Sequence, residues 1–256
     1  MTPIIVMRKL HQLSVLLFTI LLAACTQSDV QADLPRATEA APAIYAELLA
    51  KYATPSGVRY ATWHKDSADM AKLKEVVAFY ANTLPPSDRD TSLAWHLNAY
   101  NAWILHNILK KYPTKGPLDG ETLFFHGNRI TISGKETSFD HLEQKVIRPT
   151  FKEPRIHFAV NCASESCPPL DTKPFTATTL DADLERLTRT FINDNPQGVV
   201  LSGNKVKLSK IFEWYADDFG GKDQLISYIN RYRNQPIPSG SKPEFLDYSW
   251  KLNAVN

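Results

Sequence analysis

Hydrophobic positions along this chain change rhythm several times, and each change predicts an element. Residues 13–22 form an apolar run, interrupted only by Ser14 and Thr19, behind Arg8 and Lys9. Residues 44–52 and 68–80 carry apolar side chains at helical spacing, and Pro85-Pro86 then breaks the chain. Residues 93–112 are apolar on nearly every face, with Asp90 or Ser92 as the expected cap and Pro113 and Gly116 as the stop. A helix greasy all round belongs at the buried centre of a fold.

Strand-like runs follow. Residues 123–126 and 129–132 flank Gly127-Asn128 and predict a hairpin, and Thr137 with Asp140 reads as a capping box for a helix over 139–147. Residues 156–160 predict a strand. Thr178 and Asp181 open a helix whose core stripe is Leu180, Leu184, Leu187 and Phe191. Residues 199–201 and 205–208 pair across Gly203-Asn204 as a second hairpin. Ser209 starts a helix that Gly220-Gly221 closes, and 223–233 forms the last one. The expected fold is α+β: a single domain with helices packed around a small, mainly antiparallel sheet.

The first apolar run has a different meaning. It ends Leu22-Ala23-Ala24-Cys25, with small residues ahead of a cysteine, and is shorter than the ~20 apolar residues of a membrane span. Residues 1–24 therefore read as a signal peptide, starting at Met1 or at Met7, and Cys25 as the lipidation site of a palmitate-bearing bacterial lipoprotein. Several acyl chains on Cys25 give stable anchoring. Thr26, in place of an aspartate, favours the outer membrane and a periplasm-facing address. Residues 25–41 are polar, without an apolar face, and predict a flexible tether ahead of a domain over 42–256.

Charge and composition narrow the partners. The net charge of +2 comes from interleaved signs without a basic stripe, so no nucleic-acid partner is expected. Neither a phosphate-binding glycine loop nor a haem or dinucleotide fingerprint is present in the sequence, and no cofactor is expected. The expected partners are a membrane, through the lipid, and an envelope ligand.

Reactive side chains crowd into residues 155–169, which contain His157, Asn161, Cys162, Ser164 and Cys167. On a strand, His157 and Asn161 share one face while Cys162 falls on the other, so a His157–Cys162 pair requires the strand to end or bulge near Asn161. Three readings of the thiols stand side by side. Cys162 and Cys167 close a small disulfide loop in an oxidising compartment. Alternatively Cys162 is a nucleophile, His157 its base and Asn161 the group that orients the ring. A zinc site would have only His157, Cys162 and Cys167, one ligand short of a structural centre, and no metal is expected. Asn98 and Asn101 share a face of the apolar helix, where a buried amide must find partners. Glu143 with Arg148 or Arg155 suggests a surface bridge, or the frame of an anionic ligand.

The motifs together resemble a known family. Residues 95–102 (WHLNAYNA), 155–164 with Cys167-Pro168 (RIHFAVNCAS and CP), 208–219 (LSKIFEWYADDF) and 246–253 (LDYSWKLN) are similar to the consecutive motifs of the domain-of-unknown-function 547 family. The resemblance implies that Asn98, Tyr100, Asn101, Glu143, Arg148, His157, Asn161, Cys162, Ser164 and Cys167 matter. His96 departs from the family pattern and should be dispensable. A remoter likeness is to thiol-protease and transglutaminase-like cores, but the start of the central helix lacks their cysteine. Two functions follow from these expectations: a lipoprotein that binds or acts on an envelope component, or a Cys-dependent hydrolase or transferase on an amide bond, with Asn161 or Asn98 as orienting or oxyanion group.

Overall fold

The long apolar helix organises everything else. In the computed structural model, which describes residues 33–256 apart from 121, 122, 128, 203, 204 and 239, this helix is α4 (Arg89–Lys111). For the helices before it we use α1 (Ala43–Tyr52), α2 (Tyr60–Lys65) and α3 (Ser67–Asn82). Asp88, rather than Asp90 or Ser92, caps α4 by accepting the amides of Asp90 and Thr91, so the helix begins ahead of the apolar run at 93. The all-round apolar pattern is explained by its burial: Trp95, Leu97, Ile104, Leu105 and Ile108 are sealed from solvent. α3 packs on α4, and α1 packs on α3.

The α+β class holds, in a single domain, although the strands form three small sheets rather than one. β1 (Ala53–Thr54) and β2 (Gly57–Val58) pair antiparallel, as do β3 (Ile130–Ile132) and β4 (Lys135–Thr137). β5 (Val199–Ser202) and β6 (Lys205–Leu208) form the second expected hairpin, and β7 (Glu244–Phe245) joins β6 in parallel. The turn at 203–204 lies outside the described residues.

Several expected elements are displaced. The first hairpin turns at Ser133-Gly134, not at Gly127-Asn128, because both Ser133 and Gly134 adopt the positive φ that a tight two-residue turn requires. Ser138 rather than Thr137 caps the following helix, α5 (Phe139–His141), by accepting the His141 amide. α5 runs into a π-helical turn, Leu142–Ile147, and then into α6 (Arg148–Phe151). The strand expected at 156–160 is instead a 3-10 turn, Pro154–Phe158: Pro154 presets its first φ and Glu153 caps it at Arg155 N–H. The remaining helices are α7 (Leu180–Asn193), whose expected stripe is buried, α8 (Lys210–Trp214) and α9 (Leu225–Asn230), with a 3-10 turn, Ala216–Phe219, after α8.

Past β7 the chain crosses the domain as a closing segment. Its backbone is fastened at Ser166, Glu165, Lys115 and Val58 in turn, through Ser249 N–H, Lys251 O, Leu252 N–H and Asn253 O. Two glycines make room for it. A Cβ on Gly116 would lie 2.1 Å from Trp250 O, and one on Gly57 would lie 2.3 Å from Asn253 O.

At the other end, the packed domain takes in part of the stretch expected as tether. Leu84 hydrogen-bonds Pro35 and Ala37, and Ala37 and Ala40 are buried, so residues 35–40 belong to the packed domain. The signal peptide and Cys25 lie outside the described residues. Among the described residues, no helix is long and apolar enough to cross a membrane.

Candidate active site

Segments distant in sequence meet around one cavity of about 260 Å³. The π-turn supplies Glu143 and Gln144, the loop after the 3-10 turn supplies Cys162 and Cys167, and the closing segment supplies Tyr248 and Trp250. A π-turn widens the helix locally and redirects its side chains, and such turns recur at functional sites. Here the redirected group is Glu143, which is 6% exposed.

Two asparagines shape the thiol loop. Asn101 of α4 donates to Ala159 O at 2.9 Å and accepts Asn161 N–H at 2.8 Å. Asn161 donates to Pro168 O and accepts Ala163 N–H, which helps hold Ala163 at a φ of 61°. Asn161 therefore neither orients His157 nor donates to an oxyanion, because its amide is engaged within the loop. Asn98 likewise offers no oxyanion donor. It exchanges two hydrogen bonds with the Phe175 backbone and donates to Ala40 O. Both helix asparagines are ties between α4 and neighbouring backbone. His96 donates to Ser92 O within α4 and packs edge-on against Phe151, away from the cavity.

Cys162 emerges from this loop with its sulfur at one corner of a triangle. Ser164 Oγ and Tyr248 OH each lie 3.1 Å from Cys162 Sγ, and 3.1 Å from one another. Behind the sulfur, Cys167 Sγ accepts Cys162 N–H at 2.8 Å, and the two side chains hydrogen-bond. Both cysteines are free, so the disulfide loop is not formed. The sulfurs instead serve as donor and acceptor to their surroundings.

Burial alone would push the Cys162 thiol up, but the hydrogen bonds from Cys167, Ser164 and Tyr248 outweigh it and hold the group below the ordinary cysteine value. Cys167 goes the other way, raised well above that value first by burial and then by its bond to Cys162. The pair thus divides into one sulfur prepared for ionisation at the cavity and one kept protonated behind it.

His157 sits on the 3-10 turn and lines the same cavity. Its Nε2 lies 2.7 Å from Asp218 Oδ2. Burial would raise the Asp218 carboxyl, but the bonds from His157 and Arg148 prevail and hold it far below the usual carboxylate range. A carboxylate only accepts, so Nε2 carries a hydrogen, and Nδ1 is the ring nitrogen left to exchange a proton. Nδ1 is buried with no hydrogen-bond partner; the Glu143 carboxyl stands 4.0 Å from it. Tyr215 stacks on the ring with centroids 3.9 Å apart, locking its plane.

Arg148 completes the support through two bonds to Asp218, at 2.6 and 2.9 Å, and one to Gln144. It pairs with neither Glu143 nor an open anion site. Arg155 is also committed elsewhere, to Glu153 and Asp181. The surface bridge expected from Glu143 is absent because the π-turn buries that side chain against Tyr215 and Gln144. Among the described residues, no group of three or more His, Cys, Asp or Glu side chains is placed to hold a metal ion.

Of the expected residues, Tyr100, Glu143, His157, Cys162 and Cys167 line the cavity, and Ser164 touches the sulfur from the side. Asp218 and Tyr248 were not anticipated. Both lay inside the 208–219 and 246–253 motifs, where their residue types are the signal: a carboxyl and a phenol beside aromatic residues.

An α+β domain that holds a free cysteine and a carboxylate-anchored histidine in one cavity defines a thiol-bearing pocket protein. Residues 85–192 match the family described as protein of unknown function, DUF547. No curated protein and no solved structure matches the chain. The matched stretch contains α4, the π-turn and the thiol loop, whereas Asp218 and Tyr248 follow it.

Proposed function

We propose that this chain is a thiol-dependent acyl hydrolase or transferase, carried at the cell envelope by a lipid on Cys25. The observation that carries the reading is the Cys162 sulfur, free, lining a cavity and surrounded by the donors of Ser164, Tyr248 and Cys167. A sulfur stabilised as its anion is the reactive form in acyl transfer.

The chemistry closes with groups already in the cavity. Cys162 gives up its proton, directly or through a water molecule, to His157 Nδ1, whose other nitrogen is anchored by Asp218. The sulfur attacks the acyl carbon, an S–C bond forms, and the carbonyl π pair moves to oxygen. When that pair returns, the bond to the leaving amine or alcohol breaks and His157 returns the proton to it. Water or an acceptor amine then attacks the thioester and frees Cys162. Nucleophile and base in one cavity, with the base oriented by a third group, follow the logic of catalytic triads.

The test is acylation with 4-nitrophenyl acetate. An acetyl adduct on Cys162, found by mass spectrometry and absent from Cys162→Ser, is expected. If Cys162 stays unmodified while the same reagent acetylates a denatured control, the reading fails. The envelope address rests on the residue pattern around Cys25; intact-protein mass spectrometry should find acyl mass there, and a mature protein without it removes the anchor.

A further inference from the structure

The cavity holds a second feature that acyl transfer does not require. Its mouth is aromatic. Trp214 is 49% exposed although it lies against Tyr248 and Trp250, with centroids 4.8 and 6.1 Å away. Tyr248 and Trp250 lie 4.7 Å apart, and Phe125 closes on Trp250 at 5.8 Å. Large indole surface is left open where the fold had neighbouring apolar surface available to cover it.

Beneath this ring lies Glu143. Its contacts are the Tyr215 hydroxyl, the Gln144 amide at 3.4 Å and the His157 ring at 4.0 Å. Arg148 acts on Glu143 through its charge alone, because its hydrogen bonds go to Asp218 and Gln144. Asp140 adds a second carboxyl at the wall, and among the described residues no lysine or arginine lines the cavity. A buried carboxylate with no cation in hydrogen-bond contact is costly unless something supplies one. His157 Nδ1, the unpartnered buried atom beside Glu143, marks the same point from the other side.

We infer that the cavity binds an ammonium group of the substrate, seated against Glu143 and enclosed by the faces of Trp214, Tyr248 and Trp250. Aromatic faces attract cations through the ring quadrupole, and a desolvated carboxylate adds directional charge. A neutral end binds more weakly, because it lacks the Coulomb attraction to Glu143, and an anionic end is repelled by Glu143 and Asp140. The inference rests on the thiol reading for its chemistry and adds what the acylated or accepting molecule carries, a free amine.

The test uses three probes of one shape, n-pentylammonium, 1-pentanol and pentanoate. Each is titrated into the full chain carrying Cys162→Ala while the fluorescence of the mouth tryptophans is followed. The ammonium should bind about tenfold or more tighter than the alcohol, in keeping with a cation–π and carboxylate contribution, and pentanoate should not bind. Glu143→Gln should bring the ammonium down to the level of the alcohol without changing alcohol binding, which also shows that the cavity is intact. Equal binding of alcohol and ammonium overturns the inference, and so does a preference that survives Glu143→Gln. Because the titration needs no sulfur, its failure is separate from that of the acylation test. An acetyl adduct without ammonium preference removes the ligand class alone, and a preference without an adduct removes the thiol chemistry.

Discussion

Tyr248 brings its hydroxyl to 3.1 Å from the Cys162 sulfur across 86 positions of chain. The contact exists because the closing segment is threaded past Gly116 and Gly57 and fastened to the thiol loop at Ser166 and Glu165. Residues at the end of the chain thereby set the ionisation of a cysteine in its middle.

Removing that hydroxyl gives the first prediction. Tyr248→Phe deletes a donor that favours the ionised sulfur, so the Cys162 pKa rises. One hydrogen bond to a charged group is worth about 1.5–3 kcal/mol, which corresponds to an upward shift of roughly 1–2 units in the pH midpoint of iodoacetamide alkylation. An unmoved midpoint would show that Tyr248 does not hold the anion.

Asp218→Asn tests the histidine. The amide no longer requires a hydrogen on Nε2, so the lone pair on Nδ1 is lost in part of the population. Acetylation of Cys162 by 4-nitrophenyl acetate should slow by roughly 100-fold or more, as in other triads with a disturbed tautomer. Alkylation well above the thiol pKa should be unchanged, which separates a lost base from a lost fold.

Asn98 and Asn101 differ in what they hold. Asn98→Ala strands the Phe175 backbone and should cost about 2–4 kcal/mol, a fall of roughly 5–10 °C in Tm, without altering the alkylation profile. Asn101→Ala should destabilise comparably but also disturb Cys162, since it releases Ala159 and Asn161. Equal alkylation profiles for the two variants would contradict this division.

Acid should find Asp69. Its carboxyl is held at about 2, chiefly by Lys51 and with help from Tyr52 and Lys72 against the opposing effect of burial. The folded value lies below the ordinary 3.8, so the contribution is complete above that value and is lost as pH falls towards 2. Urea midpoints measured from about pH 6 down to about pH 2 should fall, and Asp69→Asn should flatten that slope; parallel slopes would refute the assignment.

Much of the architecture could be read from local pattern. The apolar stripe of α7, the all-round burial of α4 and the β5–β6 hairpin follow from spacing alone, because burial imposes a period on each element. The thiol loop was visible as a concentration of nucleophiles and donors. Its strand was not, because Pro154 and the Glu153 cap outweigh the alternating apolar residues at 156, 158 and 160. Glu143 read as a surface charge for a similar reason: a π-turn has no sequence period that would reveal the change in direction.

What the sequence determined on its own is therefore which residues are chemically able: two thiols, a histidine and a helix destined for the core. Tertiary structure decided which of them act together. Asp218 rather than Asn161 reached the ring, Tyr248 and Ser164 reached the sulfur, and Asn98 and Asn101 became backbone ties. The physical reason is that hydrogen bonds and charge effects act over a few ångströms of space, and only packing brings residues 61 and 86 positions apart within that range.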